Sequence, residues 1–110
     1  MSKQHFFVRL IPPRATFPGD MTAEERALMA LHAAYTRGLF EAGQVLCYGP
    51  VMAGTGAFGA AVFEVETEAQ ARQILDGDPT VKSGLNTYEL WPMHLGGARS
   101  SLEASSGQGR

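Results

Sequence analysis

Residues 22–43, TAEERALMALHAAYTRGLFEAG, decide the fold. Thr22 and Glu25 have the spacing of a capping box, and Glu24 and Glu25 put acids in the first turn, where the helix dipole favours them. Gly43 stands where a left-handed C-cap is expected. At 100° per residue, Leu28, Leu31, Tyr35 and Leu39 fall in a narrow stripe, with Arg26, Arg37 and Glu41 opposite. The pattern predicts an amphipathic helix running to about residue 42. One polar residue interrupts its apolar face. His32 lies about 40° from Leu28, inside the stripe, and Met29 and Phe40 extend apolar surface beyond it. That surface is wider than packing on one sheet requires.

Working outward, residues 5–11 (HFFVRLI) read as a strand, dense in aromatic and branched side chains. Residues 12–20 (PPRATFPGD) cannot be helix or central strand, because each proline removes a donor and restricts its predecessor. They form a stiff loop, read equally well as a functional segment or a spacer. Residues 45–51 (VLCYGPV) predict a second strand and residues 60–65 (AAVFEV) a third. The glycine-rich stretch between them, residues 54–59, lacks the spacing and following helix of a phosphate loop and reads as a hairpin connection. Thr67 and Gln70 suggest a second capping box, opening a short helix to about Asp76 with Ala71, Ile74 and Leu75 inward. Gly77, Asp78 and Pro79 stop it. Residues 85–93 (LNTYELWPM) are the last predicted strand, and Pro92 marks an edge or strand end.

The order β-α-β-β-α-β predicts an α+β, ferredoxin-like domain: a four-stranded antiparallel sheet with two helices on one face. It occupies residues 1–95, followed by a flexible C-terminal tail at 96–110, where small polar residues dominate.

At 110 residues the chain is of single-domain size, and 45% of it is hydrophobic. The net charge of −2 and the scattered basic residues disfavour nucleic-acid binding. Cys47 is the single cysteine, so neither an intrachain disulfide nor a multi-cysteine metal site is expected; its neighbours suggest an inert, semi-buried thiol. No stretch has the make-up of a signal peptide or a membrane span, which points to a cytoplasmic protein with no membrane partner.

In the first strand Phe6, Val8 and Leu10 alternate with His5, Phe7, Arg9 and Ile11; in the last, Tyr88 and Leu90 oppose Thr87, Glu89, Trp91 and Met93. Both faces carry large apolar groups, and the second also carries charges, so a second chain packed sheet to sheet is expected. The result is a homodimer, with further assembly left open.

His32 is either a buried, hydrogen-bonded structural histidine or a general acid–base, since an imidazole titrates near neutrality. A carboxylate partner would fix its tautomer. Asp78 at the end of the second helix is best placed and Asp76 is the rival, although Asp78 equally fits a residue that caps the next turn. His5 and His94 lack metal-ligand spacing to His32, and no metal or organic cofactor is expected. Arg9 and Arg14 are candidates to hold a substrate carboxylate, with pairing of Arg9 to Glu89 as the alternative. Tyr35, Tyr48, Tyr88 and Trp91 line a pocket or belong to the core.

These residues resemble the YCII-related family of small dimeric proteins, within the dimeric α/β-barrel class, over about residues 5–93. The resemblance rests on the apolar first strand, His32, and the run from Glu41 through Leu46 to Gly49-Pro50-Val51. It continues in Asp78-Pro79 with Val81 and Ser83-Gly84-Leu85, and in Tyr88 through Pro92. It implies a dimer with an active site near the interface holding a histidine and an aspartate, at positions matching His32 and Asp78. It further implies a small-molecule ligand bearing a carboxylate, and chemistry on ring lactones such as isomerisation or dehalogenating elimination of muconolactone-like substrates. The loop at residues 12–17 is longer than in simple members, and the tail has no counterpart. The opposing expectation is a non-catalytic dimeric small-molecule-binding or interaction protein.

Overall fold

A computed structural model describes residues 2–99. The elements follow as β1 (Gln4–Ile11), α1 (Ala23–Glu41), β2 (Val45–Ala53), β3 (Gly56–Val65), α2 (Glu68–Asp76), α3 (Pro79–Lys82) and β4 (Thr87–Met93). The four strands make one antiparallel sheet in the order β2-β3-β1-β4, the ferredoxin-like arrangement. Residues 94–99 carry no regular structure, and the rest of the expected tail lies outside the described residues. Among the described residues, no helix is long and apolar enough to cross a membrane.

The alternation predicted for the strands sets the register. Val8 pairs with Ala61 and Leu90, while Arg9 pairs with Ala60 and Glu89. One face therefore carries Phe6, Val8 and Leu10, which are buried, and the other carries Phe7, Arg9 and Ile11. The core gathers under α2, from Phe6, Val8, Val45, Phe63, Val65, Ala71 and Leu75. Farther along β3 the same face carries only Ala57, Gly59 and Ala61, by the two-residue period from Phe63. Those short residues leave the space beneath α1 unfilled.

The hairpin is longer than predicted. Ala53 pairs with Gly56, so only Gly54 and Thr55 form the loop and the glycine-rich stretch continues the ladder. Pro50 is tolerated because β2 is an edge strand, as is β4 with its Pro92. Cys47 is exposed, not semi-buried, where the register shifts between Val45 and Cys47.

The α1 capping box is complete: Thr22 Oγ1 accepts from the Glu25 amide at 3.1 Å, and Glu25 accepts from the Thr22 amide at 3.0 Å. In the second box only Thr67 acts as predicted. The Gln70 side chain turns one residue further back, to the Glu66 amide. Gly43, at φ +83°, ends the first helix as expected.

The buried side of α1 differs from the predicted stripe. Leu31 is 55% exposed, whereas Glu25, Leu28, Met29, His32, Tyr35 and Leu39 are partly buried and Thr36 is buried. The centre of the inward face is thus rotated by about 55° from that of the predicted stripe, which brings His32 near its middle. Polar anchors account for the rotation. Glu25 binds Arg14, His32 binds Asp78, and the Tyr35 hydroxyl donates to the Ile74 carbonyl at 2.8 Å.

The proline-rich loop is an ordered strap. Arg14 donates through Nε to Asp20 and through Nη1 and Nη2 to Glu25, at 2.7–3.1 Å. Thr16 also donates to Asp20. This clamp seats Phe17, 4% exposed, at the end of the space under α1. The Arg14 hydrogen bonds, followed by the Thr22 amide, hold the Glu25 carboxyl down to about 2, from an ordinary 4.5. A folded-state value below the unfolded one stabilises the protein above pH 4.5, and that contribution fades as pH falls towards 2. Glu25→Gln should therefore flatten the decline of melting temperature over that interval, measured by calorimetry across pH.

Candidate active site

A cavity of about 440 Å³ lies between α1, the sheet and the strap, within the usual size range of small-ligand sites. Val8, Leu10, Ala61 and Pro50 contribute to its apolar wall, with Phe17 and Pro18 from the strap. His32, Asp78 and Tyr35 reach it from the helical layer.

His32 Nδ1 lies 2.6 Å from Asp78 Oδ2. The other Asp78 oxygen, Oδ1, accepts from the Thr80 amide at 2.8 Å and the Thr80 hydroxyl at 2.7 Å. Asp78 is the N-cap of α3, with Pro79 in the first turn, where its missing N–H costs nothing. Each Asp78 oxygen thus has its own partner: Oδ1 caps α3 and Oδ2 faces His32. Asp76 is engaged elsewhere, accepting from the Tyr88 hydroxyl at 2.8 Å.

Burial pushes the Asp78 carboxyl up, but the hydrogen bonds from His32 and Thr80 together outweigh it and hold the group below 3.8. Asp78 is therefore ionised at neutral pH and can only accept. The hydrogen between the pair must sit on Nδ1, so the neutral ring carries its lone pair on Nε2. Nε2 has no partner among the described residues, and the His32 side chain is 23% exposed. The arrangement is a lone pair of fixed direction, backed by a buried anion and open to a ligand-sized cavity.

Tyr35 commits its hydroxyl to Ile74. Burial first, and then the charge of Asp78, raise its pKa, so it stays a neutral donor that offers the cavity its ring. The remaining sequence candidates lie elsewhere. Arg14 is paired with Asp20 and Glu25. Arg9 points to the opposite sheet face, 3.4 Å from Glu89 and over the Phe58 ring. Trp91 stacks on Phe7 on that same face. Arg9 and Arg14 border a separate concavity of about 190 Å³. Among the described residues, the one cation lining the His32 cavity is Arg37, which is paired with Glu41 at 3.1 Å. No group of three or more metal-ligating side chains occurs among the described residues.

The YCII-related domain family model matches residues 6–94, a span that includes His32, Asp78 and every strand pairing between Phe6 and Met93. The chain belongs to the YCII-related family. No curated protein matches it. Among solved structures, 5-chloro-2-hydroxyhydroquinone dehydrochlorinase from Burkholderia phenoliruptrix AC1100, in complex with 2,5-dihydroxybenzoquinone, superposes with a TM-score of 0.61 at 23% identity. The match covers 83% of this chain and 95% of that one, and it shows that the fold is shared.

Three residues of this YCII-related site were not picked out by sequence reading. Phe17 was read only as part of a loop. Thr80 locks the Asp78 carboxylate, a role that the Asp-Pro-Thr order signals through cap chemistry. Asn86, at the foot of β4, is 3% exposed and lines the cavity. Nothing in its sequence context marks it.

Proposed function

We propose that this protein is an enzyme that moves a proton on a small ring compound held beneath α1. His32 Nε2 is the base and Asp78 is the positioning residue. The observation that carries the proposal is the 2.6 Å pair between a buried, doubly anchored carboxylate and an imidazole facing a ligand-sized apolar cavity. In an isomerisation, Nε2 takes a proton from a carbon next to a carbonyl and returns it at a conjugated position. In a dehalogenating elimination it takes a proton from a carbon next to a carbonyl or, in the keto tautomer of a chlorinated hydroxyhydroquinone, from a hydroxyl conjugated with the chlorine-bearing carbon. Chloride leaves with the carbon–chlorine electron pair, and a double bond forms. The imidazolium then gives its proton to water. Neither step calls for a cofactor.

Two substrate classes fit: the small lactones implied by family resemblance, and the chlorinated hydroxyhydroquinones named for the structural neighbour. The chemistry of the cavity favours a substrate of low charge, since Arg9 and Arg14 lie outside it and Arg37 is paired. A substrate carboxylate would meet no unpaired cation among the described residues that line the cavity. Chloride release from a chlorinated hydroxyhydroquinone, and deuterium uptake from D2O into an unsaturated lactone, test the activity. Either signal supports proton transfer. Ring binding with neither signal would leave a non-catalytic binding protein.

We also propose that the face carrying Phe7, Arg9, Glu89, Trp91 and Met93 covers the same face of a second copy. Trp91 is 46% exposed there, and the charges of Arg9 and Glu89 lie side by side, so a twofold axis can match each sign with its opposite. Trp91→Glu should convert a dimer to a monomer in sedimentation velocity; a wild-type monomer would refute the assignment.

A further inference from the structure

Two of the three tyrosines in the chain have committed hydroxyls: Tyr35 donates to the Ile74 carbonyl and Tyr88 to Asp76, each at 2.8 Å. The third, Tyr48, donates to no described residue and is 42% exposed. Its side chain stands on the cavity side of the sheet. Tyr48 pairs with Ala61, part of the short-residue floor, and itself lines the cavity. An edge-to-face contact with Phe40 of α1, at 5.6 Å between ring centroids, seats the ring. Arg37 is a neighbour too, its guanidinium raised above its ordinary range by Glu41 first and by Tyr48 after it. Other polar side chains at the cavity are engaged: the Thr36 hydroxyl donates to the His32 carbonyl, and Arg37 pairs with Glu41. Among the described side chains that line the cavity, two polar groups are left both unpaired and accessible: His32 Nε2, an acceptor, and the Tyr48 hydroxyl, a donor.

We propose that Tyr48 is a further catalytic residue, whose hydroxyl donates a hydrogen bond to the substrate oxygen that gains negative charge during proton transfer. This rests on the reading of the cavity as a site of proton transfer on a ring. His32 enters the cavity from α1 and Tyr48 from β2, so the ring lies between acceptor and donor. When Nε2 removes a proton from a carbon next to a carbonyl, the C–H electron pair forms a carbon–carbon double bond. The carbonyl pair moves onto its oxygen and gives an enolate. Tyr48 keeps its own proton and shares it with that oxygen. An apolar wall supplies little else to stabilise the charge, and a donor seated in advance needs no reorganisation as the charge develops. The neighbouring Arg37 charge polarises the hydroxyl and strengthens it as a donor.

4-Nitrophenolate carries its charge on an oxygen conjugated with the ring, as the enolate does, and 4-nitroanisole has the same ring without the charge. Titration calorimetry at about pH 8.5, where an ordinary imidazole is neutral and offers no charge of its own, compares the two. Tyr48→Phe should bind the phenolate about tenfold more weakly than wild type and the anisole equally well. Arg37 attracts the phenolate in both proteins, so the difference isolates the hydroxyl. The melting temperature should stay within about 1 °C, since the variant loses only an exposed hydroxyl that donates to no described residue. The same variant should slow deuterium uptake into an unsaturated lactone by about 10²-fold in kcat. Unchanged phenolate affinity, or equal losses for both probes, would refute the role of Tyr48 while leaving the cavity reading intact. Binding of neither probe to wild type, or no deuterium uptake by it, would remove that reading and the proposal with it. Should Tyr48→Phe fail to fold, NMR on the wild type decides: the Tyr48 Cζ resonance should move with the phenolate and not with the anisole, and equal response to both refutes the assignment.

Discussion

His32→Gln is expected to lower turnover of the ring substrate by about 10²- to 10⁴-fold, the range for loss of a positioned general base. Glutamine preserves length and can still donate to Asp78, so the buried carboxylate keeps a partner and the fold should lose only about 1 kcal/mol. Binding of hydroquinone should change little, since most of the wall is untouched. The loss therefore falls on kcat and not on KM, which marks an interaction made in the transition state. Steady-state kinetics with parallel calorimetry reads both quantities. Unchanged kcat in the folded variant would reduce His32 to a structural role.

That His32 was worth asking about was legible from helical spacing alone. What spacing did not give was how central it is. A stripe drawn through Leu28, Leu31, Tyr35 and Leu39 treats apolar side chains as the sole inward force. In the structure Leu31 faces outward, while Glu25, His32 and Thr36 turn inward. Helix orientation here follows hydrogen-bond partners that lie far along the chain, at Asp78 and Ile74, and no local pattern encodes them. The strands behaved differently. Their two-residue alternation is local, so the faces read from residues 5–11 and 85–93 match the register of β1 with β4. The cavity itself was only half visible. An over-wide helix face suggested it, but the floor depends on Ala57, Gly59 and Ala61 standing opposite that face, which requires the pairing of β3. Arg14 shows the opposite limit. A loop arginine invites a substrate carboxylate, and in the structure Asp20 and Glu25, six and eleven residues on, pair with it.

Asp78 makes a sharper test of the mechanism than His32, because its two oxygens do separable things. In Asp78→Asn, both Thr80 groups are donors, so the remaining carbonyl oxygen must stay with them and the cap survives. The new NH2 then faces His32 Nδ1, which has to accept, and the ring proton moves to Nε2. A group that removed protons at the cavity becomes one that donates there. Turnover should fall by about 10²- to 10⁴-fold with the fold retained, and the His32 ring nitrogen shifts in NMR should report the exchanged tautomer. Asp78→Ala differs in kind, since it strips the cap and leaves the buried Thr80 donors unpartnered, at about 2–4 kcal/mol of stability. Acid separates these effects again. The carboxyl of Asp78 lies below its ordinary 3.8 in the folded protein, so its stabilisation is present above that pH and is lost as pH falls further. Asp78→Asn lacks this titration, while Glu25→Gln removes the one that begins nearer 4.5. If Asp78→Asn kept wild-type turnover with the tautomer exchanged, Nε2 would not be the base, and the proton transfer would have to be assigned to another group.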